Sequence, residues 1–445
     1  MPRAARTAAA LLPLGLLVVL LFSCQGGAPR GSASALATSA PEGGPIGRAS
    51  FEDEPSIRVR IFRGMPSLEV GAEHPLIVSS PATGETRALV PPVSIEASEG
   101  GVVARAVGTE IRAPAGGHLE LIESSDAIYR VGPDADESSI RVAGRLAVHP
   151  VRDGSRLDGV LELPIERYLP GVLAAELIPG WEMAAFEAQA IAARSYALHE
   201  RSRSRASGRR FDVESTTLDQ VFEGETSNTR AIDAVERTRG QTLLAPDGLL
   251  LRAYYSSTCG GRPATASSVW PSEGELSFNK TAPLRGRVRD CPCDESPLYR
   301  WERTRGREEI RARLRAWGAS AGHDLRRVGR VLSLEVERTS VTGRPERFKI
   351  IDDAGAVYRV SSENLRVAMN TTAPGQPAIT RQTRVPSGDL EATVASGRVV
   401  LRGRGFGHGV GLCQFGAQGY AEQGHSAERM LRRFYPGARI ERLYR

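Results

Sequence analysis

One change of rhythm constrains this chain more than any other feature: at Pro164 the spacing of apolar residues passes from two to between three and four. Before that point, short alternating or β-branched runs read as strands, among them Ile57 to Phe62, Ser67 to Val70, Gly101 to Val107 and Leu119 to Ile122. Turn clusters such as Pro81-Ala-Thr-Gly84 and Pro114-Ala-Gly-Gly117 separate them, so residues 51–159 are predicted to form a small β domain. After Pro164, Ile165 to Leu177 and Glu182 to about Ser202 read as two helices joined by the breaker Ile178-Pro179-Gly180. A third helix is expected from Asn228 to Thr238, capped by Ser227 and stopped by Gly240, and Leu243 to Tyr255 reads as a hairpin around Pro246-Asp-Gly248. Residues from about 302 to 400 form an inserted α/β excursion, with a helix from Glu308 to Trp317 and strands Val331 to Glu337, Phe348 to Ile351 and Val357 to Val360. A glycine-rich loop, Gly403 to Gly411, then leads into two short helices and the stop Tyr435-Pro-Gly437. The predicted class is α+β: a helical-and-strand core over residues 160–445 with a small N-terminal β domain and the excursion.

At the other end, Arg3 and Arg6 precede an apolar run from Ala8 to Leu21 that closes in Leu21-Phe22-Ser23-Cys24. The run is shorter than the ~20 apolar residues that span a bilayer, and it reads as a secretory signal peptide. A leucine three residues before a cysteine resembles a lipobox, so residues 1–24 are expected to be a lipoprotein signal with Cys24 the lipidated residue. The expected location is the cell envelope, exported and lipid-anchored on the periplasmic side or facing the outer membrane. Ordinary cleavage to a secreted protein is the alternative. Residues 25–50, rich in Gly, Ala, Ser and Pro, read as a flexible tether. The net charge of +6 is too small and too scattered to argue for nucleic acid, and the densest basic run, Arg201 to Arg210, looks like the polar end of a helix.

In the second helix Met183, Phe186, Ala190, Ala193 and Ala197 form an apolar stripe, with Arg194 beside it. A guanidinium there needs a partner, because burying it unpaired is costly. Glu176, at the end of the preceding helix, is the nearest candidate, as a structural ion pair or as a catalytic pair. Cys291 and Cys293 are too close in sequence to bridge each other easily. They would pair with Cys259 and Cys413 in disulfides, share a tetrahedral zinc ion with them, or remain free.

Five ordered blocks carry a resemblance. They are Val172-Leu-Ala-Ala-Glu-Leu177 with Phe186 to Tyr196, Asp212 to Gly224, Tyr255-Ser-Ser-Thr-Cys-Gly-Gly261, Cys291-Pro-Cys293 with Ser296-Pro297, and Gly403 to Gly416. Together they resemble the SpoIID/LytB family, of stage II sporulation protein D and an amidase enhancer, over about residues 160–445. The resemblance implies a peptidoglycan lytic transglycosylase that cleaves the bond between N-acetylmuramic acid and N-acetylglucosamine and leaves a 1,6-anhydro end. It places the acid on Glu176, with Arg194 as second catalytic candidate and His408, Asp219, Gln220, Gln414 and Tyr420 as groove residues. Such a reaction needs one carboxyl, since the muramic acid's own 6-hydroxyl attacks. Its general acid must stay protonated, for which Leu173, Leu177, Ile178 and Trp181 can supply an apolar setting. A buried Arg194 against Glu176 would pull the other way. The same family implies an alternative, a non-catalytic glycan-binding enhancer of a cell-wall amidase. No cofactor is expected for catalysis, and the expected partners are peptidoglycan strands, the membrane through Cys24 and a cell-wall amidase.

Overall fold

The computed structural model describes residues 51–122, 127–133, 139–286 and 290–445. The expected signal, Cys24 and the tether lie outside these residues. No described helix is long and apolar enough to cross a membrane.

The alternating runs before Pro164 form two sheets. A seven-stranded sheet runs in the spatial order Val213–Glu214, Ser56–Met65, Leu157–Pro164, Arg145–Pro150, Leu119–Ile122, Leu76–Ser80 and Glu85–Leu89. A six-stranded antiparallel sheet runs Ile140–Val142, Tyr129–Gly132, Ser67–Gly71, Val93–Ser98, Gly101–Ala106 and Thr109–Ala113. In Ser56–Met65 the first residues alternate between half-buried arginines or serine and the buried Ile57, Val59 and Ile61, as a sheet with one covered face requires.

Among the described residues eight α-helices follow: α1 (Ile165–Glu176), α2 (Met183–Ala206), α3 (Thr229–Arg237), α4 (Ala266–Val269), α5 (Arg307–Ala321), α6 (Ser362–Met369), α7 (Gln414–Glu422) and α8 (Ala427–Phe434). Strand Leu157–Pro164 runs directly into α1, and one continuous core joins the sheets to α1, α2 and α3 through Ile57, Leu161, Leu169, Phe186 and Ala231. The expected boundary at 159/160 therefore falls inside a strand whose two halves share that core. A second core lies on the other side of α2, with the four mature cysteines, α7 and α8.

The excursion has a third core of its own, centred on Trp301, Leu314, Phe348 and Leu401. Its entry strand Trp301–Gly306 pairs with its exit strand Arg398–Gly403, Trp301 opposite Gly403, so the chain returns to where it left. Only glycine fits at 403, because a Cβ would come within 2.1 Å of the Trp301 ring. Arg344, from the excursion's hairpin, is buried and donates to the carbonyls of Arg262 at 3.0 Å and His408 at 3.1 Å, fastening the insert to the glycine-rich loop.

Two local expectations change. Helix α3 is capped by Asn228, whose side chain accepts the Ala231 N–H, and not by Ser227. The hairpin around Pro246-Asp-Gly248 forms at its tip, with Leu244 bridging Leu250 antiparallel and the Leu251 N–H donating to the Leu243 carbonyl, but the longer ladder of Gln241–Leu244 is made with the C-terminal strand Arg439–Arg442. The turn is local chemistry; the ladder is chosen by which edge tertiary packing brings alongside.

Candidate active site

Glu176 is the last residue of α1, where Leu177 turns into extended backbone and the chain crosses Pro179-Gly180 to α2. Its carboxyl is gripped from two sides. Oε1 accepts the Val221 backbone N–H at 3.3 Å, and Oε2 accepts from the Gln414 side-chain amide at 3.1 Å. Val221 belongs to the loop after the short strand Val213–Glu214, and Gln414 opens α7, so residues 45 and 238 positions away meet at one carboxyl. Burial raises the Glu176 pKa above its ordinary value, the two hydrogen bonds oppose that, and the nearby charge of Glu223 adds to it. The carbonyl end of a helix acts in the same direction. Leu173 and Leu177, its neighbours along the chain, are buried, and Trp181 packs edge-on against Phe415 at 4.9 Å.

Arg194 is not the partner of Glu176. It lies wholly buried against Glu166, in the first turn of α1, with Nε donating to Oε1 at 2.9 Å and Nη2 to Oε2 at 2.7 Å. Its remaining N–H groups go to the carbonyls of Val235 and Gln241 and to the Thr238 hydroxyl. Glu166 also accepts the Gly240 N–H and the Tyr444 hydroxyl. Burial alone would raise the Glu166 pKa, but the Arg194 charge and these hydrogen bonds hold it below the ordinary value. The result is a clamp joining α1, α2, the end of α3 and the C-terminal tail. With the guanidinium committed there, no cationic group among the described residues lowers Glu176.

The polar residues of the second block, Asp219 and Gln220, are held in hydrogen bonds next to the loop that carries Val221. Gln220 is fully buried; its Nε2 donates to the Ala193 carbonyl and the Tyr255 oxygen, and its Oε1 accepts from Tyr168. Asp219 accepts from the Tyr196 hydroxyl at 2.8 Å and the Glu214 N–H at 2.9 Å, closing the loop that aims Val221 at Glu176. Burial raises its pKa also.

His408 is held by backbone groups on two segments. Its Nδ1 accepts the Val410 N–H at 3.0 Å, the other nitrogen is bonded to the backbone of Tyr255, and the ring meets Trp270 edge-on at 4.8 Å. Burial pushes it down to about 4, so it is neutral near pH 7. It ties the glycine-rich loop to the strand before Cys259. Tyr420, expected in the groove, stacks on His425 and donates to the Asp290 carbonyl beside Cys291, within the second core.

The four cysteines converge although they span 154 residues. All are buried free thiols, with their sulfurs within 4.8 Å of one another and Cys259 3.8 Å from Cys293. The parallel pairing of Tyr255–Ser256 with Leu412–Cys413 brings two of them together. Gly416 leaves room for a third, since a Cβ there would lie 2.3 Å from the Cys291 sulfur. An ion ~2.3 Å from each sulfur in a tetrahedron needs sulfurs ~3.8 Å apart, which matches this donor set.

Two residues of these hydrogen-bond networks escaped the sequence reading. Glu166 had a signal, since it falls on the buried side of α1 beside Ile165 and Leu169. Tyr255 stood inside a matched block with nothing to mark which way its ring turns.

The chain is an α+β protein with three cores among the described residues, and a buried carboxyl of raised pKa stands at the end of α1. A family model described as Stage II sporulation protein matches residues 153–244, and a second, described as a domain of unknown function (DUF8618), matches residues 272–411. The chain is 29% identical over 282 residues to an uncharacterized protein of Brachyspira hyodysenteriae, covering 63% of this chain and 67% of that one. It is 25% identical over 301 residues to the Amidase enhancer of Bacillus subtilis, covering 61% of this chain and 40% of that protein. It is also 25% identical over 333 residues to Stage II sporulation protein D of Bacillus subtilis, covering 72% of this chain and 86% of that one. Over residues 153–244 the chain is therefore similar to the SpoIID family.

Proposed function

We propose that this protein acts on the cell wall as a lytic transglycosylase, cleaving peptidoglycan glycan strands with Glu176 as sole acid and base. The observation that carries this reading is the state of that carboxyl: raised by burial, held by two neutral donors, and free of the arginine that would have ionised it. Protonated, Glu176 gives its proton to the oxygen leaving the anomeric carbon of N-acetylmuramic acid. The resulting carboxylate takes the proton of that sugar's 6-hydroxyl as the hydroxyl oxygen closes on the same carbon, leaving a 1,6-anhydro ring and a restored acid. Gln414 and Val221 keep the carboxyl oriented through both transfers.

Mass spectrometry of glycan strands after incubation tests this. Anhydro ends should form with wild type and vanish with Glu176→Gln, with peptide-stripped strands the better substrate. Alignment to an amidase enhancer over 301 residues supports a second reading, a glycan-binding enhancer of a cell-wall amidase. Binding without cleavage of either intact or stripped strands, together with stimulation of an added amidase, would favour it.

Two further parts belong to the proposal. The protein is exported and anchored by lipid on Cys24, which a Cys24→Ala variant released from the membrane fraction would support. Cys259, Cys291, Cys293 and Cys413 hold a structural zinc ion, which would tie α7, and with it Gln414, to the hairpin carrying Tyr255. Elemental analysis should find about one zinc per chain and none in Cys413→Ser; a mass two hydrogens lighter per cysteine pair, with no metal, would mean disulfides instead.

A further inference from the structure

We propose that Tyr255 touches the substrate directly, donating its phenol proton to an oxygen of the glycan that lies against Glu176. The inference rests on the glycan-groove reading and starts from a buried amide whose orientation is forced. The Ala193 carbonyl can only accept, so the end of Gln220 that meets it at 3.2 Å is the NH2 group. The second hydrogen of that group goes to the Tyr255 oxygen at 3.1 Å, while Oε1 is taken by the Tyr168 hydroxyl at 3.2 Å. Tyr255 is thereby an acceptor toward the protein, and its own proton must point elsewhere. Among the described residues no group receives it.

Two placements show where that proton is available. Tyr255 pairs with Leu412, two residues before Gln414, and its hydroxyl is held by Gln220, one residue before Val221. Gln414 and Val221 are the two groups that grip Glu176, so the ring stands between the elements that form the carboxyl's socket. After burial, the charge of Glu176 is the strongest influence raising the phenol's pKa, which keeps it protonated and makes it a donor at neutral pH, never a base. The residue as a whole is half-buried. Hydroxyl and N-acetyl carbonyl oxygens of a hexosamine strand are acceptors of the kind this donor lacks.

The test uses Tyr255→Phe in the full chain, with wild type and Gln220→Leu beside it. In Tyr255→Phe the Gln220 amide keeps Ala193 and Tyr168, so the melting temperature should stay within a degree or two while kcat/KM on peptide-stripped strands falls roughly 10-fold or more. Strand affinity should weaken, and the pH limb set by Glu176 should stay in place. Gln220→Leu removes the hold on the phenol and should lower stability. If Tyr255→Phe binds and cleaves strands like wild type, the proposal is overturned. It is equally overturned if both variants lose the same turnover and melt lower together, since Tyr255 would then act only through packing. If wild type forms no anhydro ends, the transglycosylase reading fails, but strand binding still decides Tyr255: weaker binding by Tyr255→Phe supports the contact and equal binding removes it.

Discussion

Glu166 and Glu176 stand at opposite ends of one helix, and the protein treats them in opposite ways. Glu166, in the first turn, has a bidentate arginine, a backbone N–H and a tyrosine hydroxyl, and its pKa is lowered. Glu176, at the last turn, has one neutral amide and one backbone N–H, and its pKa is raised. The helix itself favours this division, since its amino end stabilises a carboxylate and its carbonyl end disfavours one. What the difference teaches is that the two carboxyls have separate jobs. One is ionised and clamps the fold; the other is kept available to hold a proton.

The sharpest way to break the comparison is to exchange their consequences. Glu176→Gln should reduce formation of anhydro ends by about 10²- to 10⁴-fold, the range for a lost general acid, with no loss of melting temperature. A cleaving Glu176→Gln would mean the acid lies elsewhere. Arg194→Ala should do the reverse, costing ~3–5 kcal/mol in denaturant unfolding because Glu166 is left charged and buried alone. Turnover per folded molecule should persist, and adding Glu166→Gln should recover part of the stability. Abolished cleavage in a stably folded Arg194→Ala would return that arginine to the catalytic machinery.

A pH series on thermal unfolding sharpens the same contrast. Because the folded pKa of Glu166 is depressed, its stabilisation is complete above the ordinary value of ~4.3 and is lost as the pH falls through the folded value. Glu176 is the opposite case: its raised pKa costs nothing below ~4.3 and weakens the fold as the pH rises through the folded value. The melting temperature of Glu176→Gln should therefore equal that of wild type in acid and exceed it slightly at neutral pH. The smallest effect belongs to Gln414→Ala. Removing a donor to the charged form should raise the Glu176 pKa further, moving the alkaline limb of the rate profile upward with a several-fold change in rate.

Much of this architecture was legible before any coordinates. The alternation of Ile57, Val59 and Ile61, the stripe of Phe186, Ala190, Ala193 and Ala197, and the breaker at Pro179-Gly180 each specify a local element, because strand and helix periods differ and the backbone must bury one face. The position of Glu176 beside an apolar wall could be read in the same way. Its grip could not: Gln414 lies 238 residues away, and nothing in a spacing says which distant side chain will arrive.

Arg194 makes the limit plain. Sequence determined that a guanidinium would be buried on α2 and would therefore need an anion, and it determined that α1 carried acidic residues close by. Which one it met depended on how α1, α3 and the C-terminal tail pack together, because Glu166 alone also reaches Gly240 and Tyr444. The same holds for His408, whose glycine-rich surroundings were visible but whose ring nitrogens were claimed by backbone on two different segments. Local period and chemistry thus dictated the elements and the need for partners, while tertiary packing chose the partners, since a hydrogen bond or ion pair across a long loop exists only once the intervening chain has been folded into place.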